Sequence, residues 1–252
     1  MPPIIIPLWR SSVLTVKPTF PNLLNIRDLG GHPTRSGETT RWKALLRSDE
    51  LERLTVEGAQ ALLDYGVSTI IDLRWPIEAT SRPSLFQTTP GEVRYLNISL
   101  LGESETAWQA IRPKVTKEMW SCVILDYLQS EIYAVMRAIA EAPASGILFH
   151  CQSGKDRTGI IAALLLAVAG VEPEAIADDY ALTTDNLREA YLAAAPPEEH
   201  AEVLERVRCP PEQIHNMLAH LEDNYGGPLG YLQKIGLKEN EITKIKQKLL
   251  SE

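Results

Sequence analysis

The residues with the most chemical content lie in one short run, His150-Cys151-Gln152-Ser153-Gly154-Lys155-Asp156-Arg157-Thr158-Gly159. It stands between a short apolar, β-prone stretch (146–151) and a longer apolar one (160–171). That places it where a buried strand hands over to a helix. At such a junction the loop's N–H groups and the helix N-terminus together make an anion cradle. Gly154 and Gly159 permit a tight backbone path close to a ligand. Arg157 follows Cys151 by six positions, so a loop curled around a tetrahedral anion sets its guanidinium opposite the sulfur. A guanidinium can grip two phosphate oxygens at once, which a lysine cannot. Cys151 is then surrounded by backbone donors, Lys155 and Arg157, a setting that favours the thiolate. A thiolate held under a phosphate is a nucleophile for covalent phosphoryl transfer. The backbone amides of Gln152, Ser153, Gly154 and Lys155 through Arg157 are the expected phosphate donors. The Thr158 hydroxyl is placed to donate to the sulfur and help it leave in a second step. His150 either shapes the loop through backbone hydrogen bonds or is a satisfied core residue.

The pattern is specific to this cysteine. The same offset gives Leu128 after Cys122 and His215 after Cys209, and these two thiols read as small buried hydrophobes. A nucleotide-binding phosphate loop does not fit either, since it needs glycine at Phe149 and Ser or Thr at Asp156. Three widely spaced cysteines form neither a disulfide framework nor a zinc set. They suit a reducing compartment.

The elements that must position this loop are legible around it. The run 67–73 is β-rich and follows a helix-like segment, 55–65, that stops at Gly66. The run 146–151 follows a longer predicted helix, 119–142, with Trp120, Ile124, Leu128, Ile132, Val135 and Ile139 at spacings of three and four and Pro143 after its end. Segments 41–47 and 93–100 are further strand candidates. Helix-then-strand units predict an α/β fold with a central, mostly parallel sheet flanked by helices. From 173 onward helical patterns recur, opened by Pro173, Pro197 and Pro211 and closed by Gly226, Gly227 and Gly236. They are expected as a helical extension, 173–252, packed on a catalytic body, 22–172, within one domain, 1–252; a separate helical bundle is the alternative.

The chain has 252 residues and a formal net charge of −8. An acidic exterior excludes nucleic acid as a bulk partner, because no positive field draws a phosphate polymer in. The opening MPPIIIPLWR is not a secretory signal, with two early prolines and no basic residue before its apolar run. The apolar stretch 160–171 is about half the length of a spanning helix. No stable membrane insertion is expected, and the expected location is cytoplasmic.

The string His150 to Gly159 resembles the cysteine-dependent protein tyrosine phosphatase signature in its HCxxGKDRTG form. Together with Asn25-Ile26-Arg27-Asp28-Leu29-Gly30-Gly31, Leu46-Arg47-Ser48 and Ile71-Asp72-Leu73-Arg74 it is similar to the atypical, mostly microbial branch of that superfamily. That branch includes the secreted mycobacterial and listerial tyrosine and lipid phosphatases. The resemblance runs from about residue 22 to the end, where Tyr225-Gly226 and Gly230-Tyr231-Leu232 also fit. Ile26 stands where the branch usually has phenylalanine. The resemblance implies the tyrosine phosphatase fold, hydrolysis of phosphotyrosine without metal or organic cofactor, and phosphoserine, phosphothreonine or phosphoinositides as further substrates.

The leaving phenolate needs a proton, so a carboxylic acid should sit near the loop. Many tyrosine phosphatases supply an Asp from a mobile loop before the cysteine; here 111–121 offers only Glu118, and Trp75-Pro76 is followed by Ile77. Asp126 falls on the predicted helix. Two candidates remain. Asp156 lies inside the loop and is the acid the resemblance suggests. Asp72 ends the strand 67–73, at the mouth of the same crevice if that strand neighbours the one feeding Cys151. Asp156 is preferred. Lys155 is suited to a substrate carboxylate or a second phosphate, as in a phosphoinositide, but neutral Gln152 and Ser153 favour a phosphorylated protein as partner. Arg74 is expected to pair with Asp72 or Glu78, and Asp28 to order the turn 25–31. Segment 101–118 and the helices after 173 either cover the pocket as a lid or simply pack. Two rival classes are weighed. A phosphate-binding adaptor would lack Cys151, Arg157 or the acid. An arsenate reductase would carry the loop near its N-terminus with paired shuttle cysteines.

Overall fold

The computed structural model describes residues 20–250 except 90, 92, 103, 104, 117 and 118. The opening run and Glu118 therefore lie outside the described residues, as does part of the 101–118 segment. Five strands form among the described residues: β1 (Arg27–Asp28), β2 (Leu45–Ser48), β3 (Val67–Asp72), β4 (Arg94–Asn97) and β5 (Gly146–His150). Their order is β1-β2-β5-β3-β4. β1 is antiparallel to β2 and every other pairing is parallel, giving the mostly parallel sheet that the helix-then-strand pattern predicts.

The helices are α1 (Val56–Tyr65), α2 (Pro76–Ser81), α3 (Leu85–Thr88), α4 (Glu105–Ile111), α5 (Trp120–Tyr127), α6 (Gln129–Glu141), α7 (Asp156–Val168), α8 (Pro173–Ala193), α9 (His200–Val207), α10 (Glu212–Tyr225), α11 (Gly227–Lys234) and α12 (Glu239–Leu249). α1 starts at Thr55, whose hydroxyl caps the Gly58 N–H, and stops at Gly66 in the left-handed region.

Successive side chains of a strand face opposite sides, and the two cores follow from this. Leu45, Ile71, Ile147 and Phe149 join one hydrophobic cluster, while Leu46, Ile70 and Leu148 join the other with Leu51 and Leu62. Val67 and Ile70 share a face despite their odd separation because the register shifts between Val67 and Thr69, the signature of a β-bulge. From Thr158 to Leu166 α7 is buried on all sides, as befits a helix that is apolar all round. The larger cluster continues through Met217, Leu221, Tyr231, Ile245 and Leu249. The end of α12 also packs back just before β2, with the Arg41 N–H donating to the Leu249 carbonyl.

Two expectations are corrected. The predicted helix 119–142 is two helices, α5 and α6, separated at Leu128, whose φ of −120° and ψ of 41° leave helical geometry. Nothing in the hydrophobic spacing marks the break. A distant residue stabilises it: the Tyr231 hydroxyl donates to the Leu125 carbonyl at 2.9 Å. The strands at 41–47 and 93–100 are shorter and shifted, at β2 and β4. Before β2, Lys43 has a positive φ of 62°, and its N–H is held by Asp28 Oδ2 at 2.7 Å, so the chain turns there.

In register, Ser48 and Asp72 flank His150, and Asn97 flanks Asp72. The carboxyl ends of four parallel strands thus share one edge, where ligands bind in open α/β sheets. The loop carrying Cys151 leaves from the middle of that edge.

Candidate active site

The loop spans the gap between β5 and α7. Three successive carbonyls of it are drawn backward into the protein. The Gln152 carbonyl accepts from the Glu50 N–H at 2.9 Å. Asn25 Nδ2 donates to the Ser153 carbonyl at 2.9 Å and to that of Gly154 at 3.0 Å. Arg47 Nη2 adds a second bond to the Gly154 carbonyl at 2.8 Å. In a trans peptide the C=O and the following N–H point in opposite directions. Fixing these three carbonyls behind the loop therefore turns the N–H groups of Ser153, Gly154 and Lys155 to its front. Gly154 makes the path feasible: its φ is 63°, and a Cβ there would sit 2.5 Å from the Ser48 carbonyl oxygen. Asp49 holds the other side of the turn, accepting from the N–H groups of Leu24 and Asn25.

Behind the loop lies a buried ionic group. Asp179 on α8 accepts from Arg27 Nε at 2.7 Å and from Arg47 Nη1 at 2.6 Å. Arg27 also donates to the Asp179 carbonyl, to Thr183 Oγ1 and to Asn25 Oδ1. Burial pushes the Asp179 carboxyl up, but Arg27 and Arg47 outweigh it and hold the group well below the carboxylate range. Burial, followed by repulsion from Arg47, brings the Arg27 guanidinium down to about 10.

At the front, Cys151 is buried with 3% exposure. Arg157, in the first turn of α7, is gripped by Glu78 of α2, Nη1 to Oε2 at 2.6 Å and Nη2 to Oε1 at 3.1 Å. The Trp75 N–H fixes Glu78 Oε2 from behind at 2.8 Å. Burial disfavours the Arg157 charge, yet Cys151 and Glu78 raise the group above its ordinary value. Burial likewise pushes Glu78 up, and its bonds to Arg157 bring it below its usual range.

Asp156 opens α7 with its side chain 43% exposed, 3.7 Å from Lys155 Nζ. Lys155 Nζ donates to the Arg206 carbonyl at the end of α9, at 2.8 Å. Asp72 is elsewhere committed. Its Oδ1 accepts from the Arg74 N–H and Nε, and its Oδ2 from Arg74 Nη2 at 2.8 Å and the Tyr95 hydroxyl at 2.5 Å. Burial opposes its ionisation, but His150 and Arg74 prevail and hold it below the usual range. Arg74 pairs with Asp72 as expected, though its second carboxylate is Glu50 rather than Glu78. His150 Nδ1 is 3.1 Å from the Cys151 carbonyl. Thr158 Oγ1 is buried and makes no hydrogen bond among the described residues. Cys122 and Cys209 are both buried free thiols, and Asp28 accepts from Gly30, Lys43 and Tyr65 around its turn.

A cavity of about 560 Å³ opens beside the loop, walled by Gln152, Ser153 and Asp156 on one side and Arg53, Tyr191 and Arg206 on the other. Cys151 and Arg157 are not in its lining; Arg157 is covered by Glu78. A smaller hollow of about 230 Å³ lies across Lys155 and Asp156, toward Trp120 and Gln213.

Sequence reasoning named the loop residues but missed Glu78 as the partner of Arg157 and Asp179 altogether. Glu78 carried a local signal, the third position of a helix opened by Pro76 after Trp75. Asp179 carried none, since an acidic residue in a helix with polar neighbours reads as a solvated face.

A Cys-x5-Arg loop rising from the central strand of a mostly parallel sheet onto a helix is the build of a cysteine-dependent phosphatase. The chain belongs to the tyrosine phosphatase family, whose profile matches residues 18–251, and is a protein-tyrosine phosphatase. It is 33% identical to a tyrosine-protein phosphatase of Nostoc commune over 218 residues, 82% of this chain and 74% of that one. It is 24% identical to the triple specificity protein phosphatase PtpB of Mycobacterium tuberculosis, over 92% of this chain and 98% of that one. Among solved structures it resembles P. aeruginosa TpbA bound to pTyr, with 16% identity, a TM-score of 0.36, and coverage of 69% of this chain and 85% of that one.

Proposed function

We propose that Cys151 is the nucleophile and that Arg157 and the loop amides hold the phosphoryl oxygens. The observation that carries this is the backward engagement of the Gln152, Ser153 and Gly154 carbonyls, which leaves a set of N–H donors preorganised for an oxyanion. The Sγ–P bond forms as the bond from phosphorus to the tyrosine oxygen breaks. Asp156 gives its proton to that oxygen. Water then attacks phosphorus, Asp156 takes the water's proton, and the Sγ–P bond breaks to return the thiolate. The Thr158 hydroxyl, buried and without another acceptor among the described residues, is the donor to the departing sulfur. Glu78 occupies one N–H on each Arg157 terminal nitrogen, leaving the remaining guanidinium donors for phosphate.

Asp156 suits the acid role because it is exposed at the cavity wall, where a substrate oxygen can reach it. Asp72 is fully buried and held as a carboxylate by Arg74 and Tyr95, so it has no proton to give. Its role is to fix Arg74 beside the strand ends. The substrate is a phosphorylated protein, since a net charge of −8 opposes docking on anionic lipid. A phosphoinositide, which Lys155 would suit, is the second reading. One domain, with 173–252 packed on 22–172 and acting in the cytoplasm, accords with the shared core and the buried free thiols.

The test is hydrolysis of p-nitrophenyl phosphate, expected to persist in EDTA and to be blocked by vanadate. Cys151→Ser should abolish turnover; activity retained in that variant ends the proposal. Phosphotyrosine peptides and phosphoinositides compared at equal concentration then separate the two substrate classes.

A further inference from the structure

We infer that Asp179, from a helix far along the chain from the phosphate loop, is a positioning residue for catalysis that acts through Arg47 on the Gly154 peptide. The inference rests on the reading of 151–157 as the phosphate-binding loop.

Arg27, Arg47 and Asp179 are 3%, 1% and 3% exposed. Two guanidiniums thus share one carboxylate in a site without solvent, where an unpaired charge is costly. Asp179 Oδ1 takes Arg27 Nε and Oδ2 takes Arg47 Nη1 at 2.6 Å, with Arg27 Nη2 also reaching Oδ2 at 3.4 Å. This arrangement fixes both planes. Arg47, held by one terminal nitrogen, aims the other at the Gly154 carbonyl at 2.8 Å. Arg27, held through Nε and Nη2, aims Nη1 at Asn25 Oδ1 at 2.6 Å, and Asn25 Nδ2 in turn holds the carbonyls of Ser153 and Gly154. Both routes from Asp179 therefore meet on the Gly154 carbonyl, and the route through Arg27 and Asn25 also reaches that of Ser153. The peptides of these two carbonyls carry the N–H groups of Gly154 and Lys155 on their opposite side. Without the shared carboxylate the two guanidiniums repel each other, and neither is oriented toward the loop.

The experiment is Asp179→Asn, assayed below its melting temperature so that the protein is folded throughout. Orthovanadate affinity and kcat for p-nitrophenyl phosphate should both fall, on the order of tenfold to a hundredfold, as expected for a displaced set of donors. A residue that merely stabilises the fold would lower the melting temperature and leave both values unchanged in the folded protein; that result overturns the inference. If Asp179→Asn does not fold, Arg47→Lys serves. It keeps the charge near Asp179 but cannot reach both Asp179 and the Gly154 carbonyl, so vanadate affinity should fall similarly; unchanged affinity overturns the inference. Retained activity in Cys151→Ser would instead overturn the reading of the loop itself, so the two failures are distinct.

Discussion

Glu78 and Asp156 show two uses of a carboxylate beside one loop. Glu78 has both oxygens on Arg157 and a backbone N–H behind it, so it is a fixture. Asp156 stands partly exposed at the cavity wall and is the acid proposed above. The contrast leads to a leaving-group experiment. Asp156→Asn should lose far more rate on phenyl phosphate than on an activated aryl phosphate, since only the poor leaving group needs the proton. Asp72→Asn should lower both rates alike through disturbance of Arg74, and kinetic constants for the two esters in each variant decide the matter. An equal loss on both esters in Asp156→Asn would assign the acid elsewhere. At this scale the sequence was legible where chemistry is local. Cys151, Arg157 and Gly154 between them are read from spacing alone. Glu78 and Asp179 reach the loop from 79 and 25 positions away from Arg157 and Gly154, and no periodicity encodes such a partnership.

Among the elements, β3, β5 and α7 follow from patterns a sequence displays: β-branched runs, a glycine stop and an apolar helix. The break between α5 and α6 does not, because the apolar spacing continues across Leu128 without glycine or proline. What replaces the lost helical bond is Tyr231, a residue on α11. Tyr231 is fully buried, so Tyr231→Phe leaves the Leu125 carbonyl without that donor. The expected cost is about 1–3 kcal/mol, read from chemical denaturation. No loss of stability would show that the carbonyl finds another donor and that the break has a different cause. The start of α7 is constrained in a similar way. A Cβ at Gly159 would lie 2.8 Å from the Tyr180 ring, so α8 packs against α7 where the loop ends, a contact invisible in either segment alone.

For the whole molecule, the buried carboxylates set the response to acid. Asp72, Glu78 and Asp179 have folded-state values below their ordinary ones. Their contribution is complete above the ordinary carboxylate range, roughly pH 4, and is lost as pH falls toward the folded values. Asp28, Asp49 and Glu50 are raised by burial. They act with the opposite sign, stabilising the native state as pH drops. The subset is separable: between about pH 5 and pH 3 the stability of Asp179→Asn should fall less steeply than that of the unaltered protein. Parallel slopes in urea unfolding at stepped pH would show that Asp179 is not depressed. The way the loop is braced has one more consequence, for transplantation. Residues 25, 47 and 50 reach its peptides from a turn, a strand and a strand end, and Asp179 of α8 holds Arg47 in place. The ten residues from His150 to Gly159 are thus not a portable cassette: spliced onto another strand and helix they would keep their spelling and lose their shape.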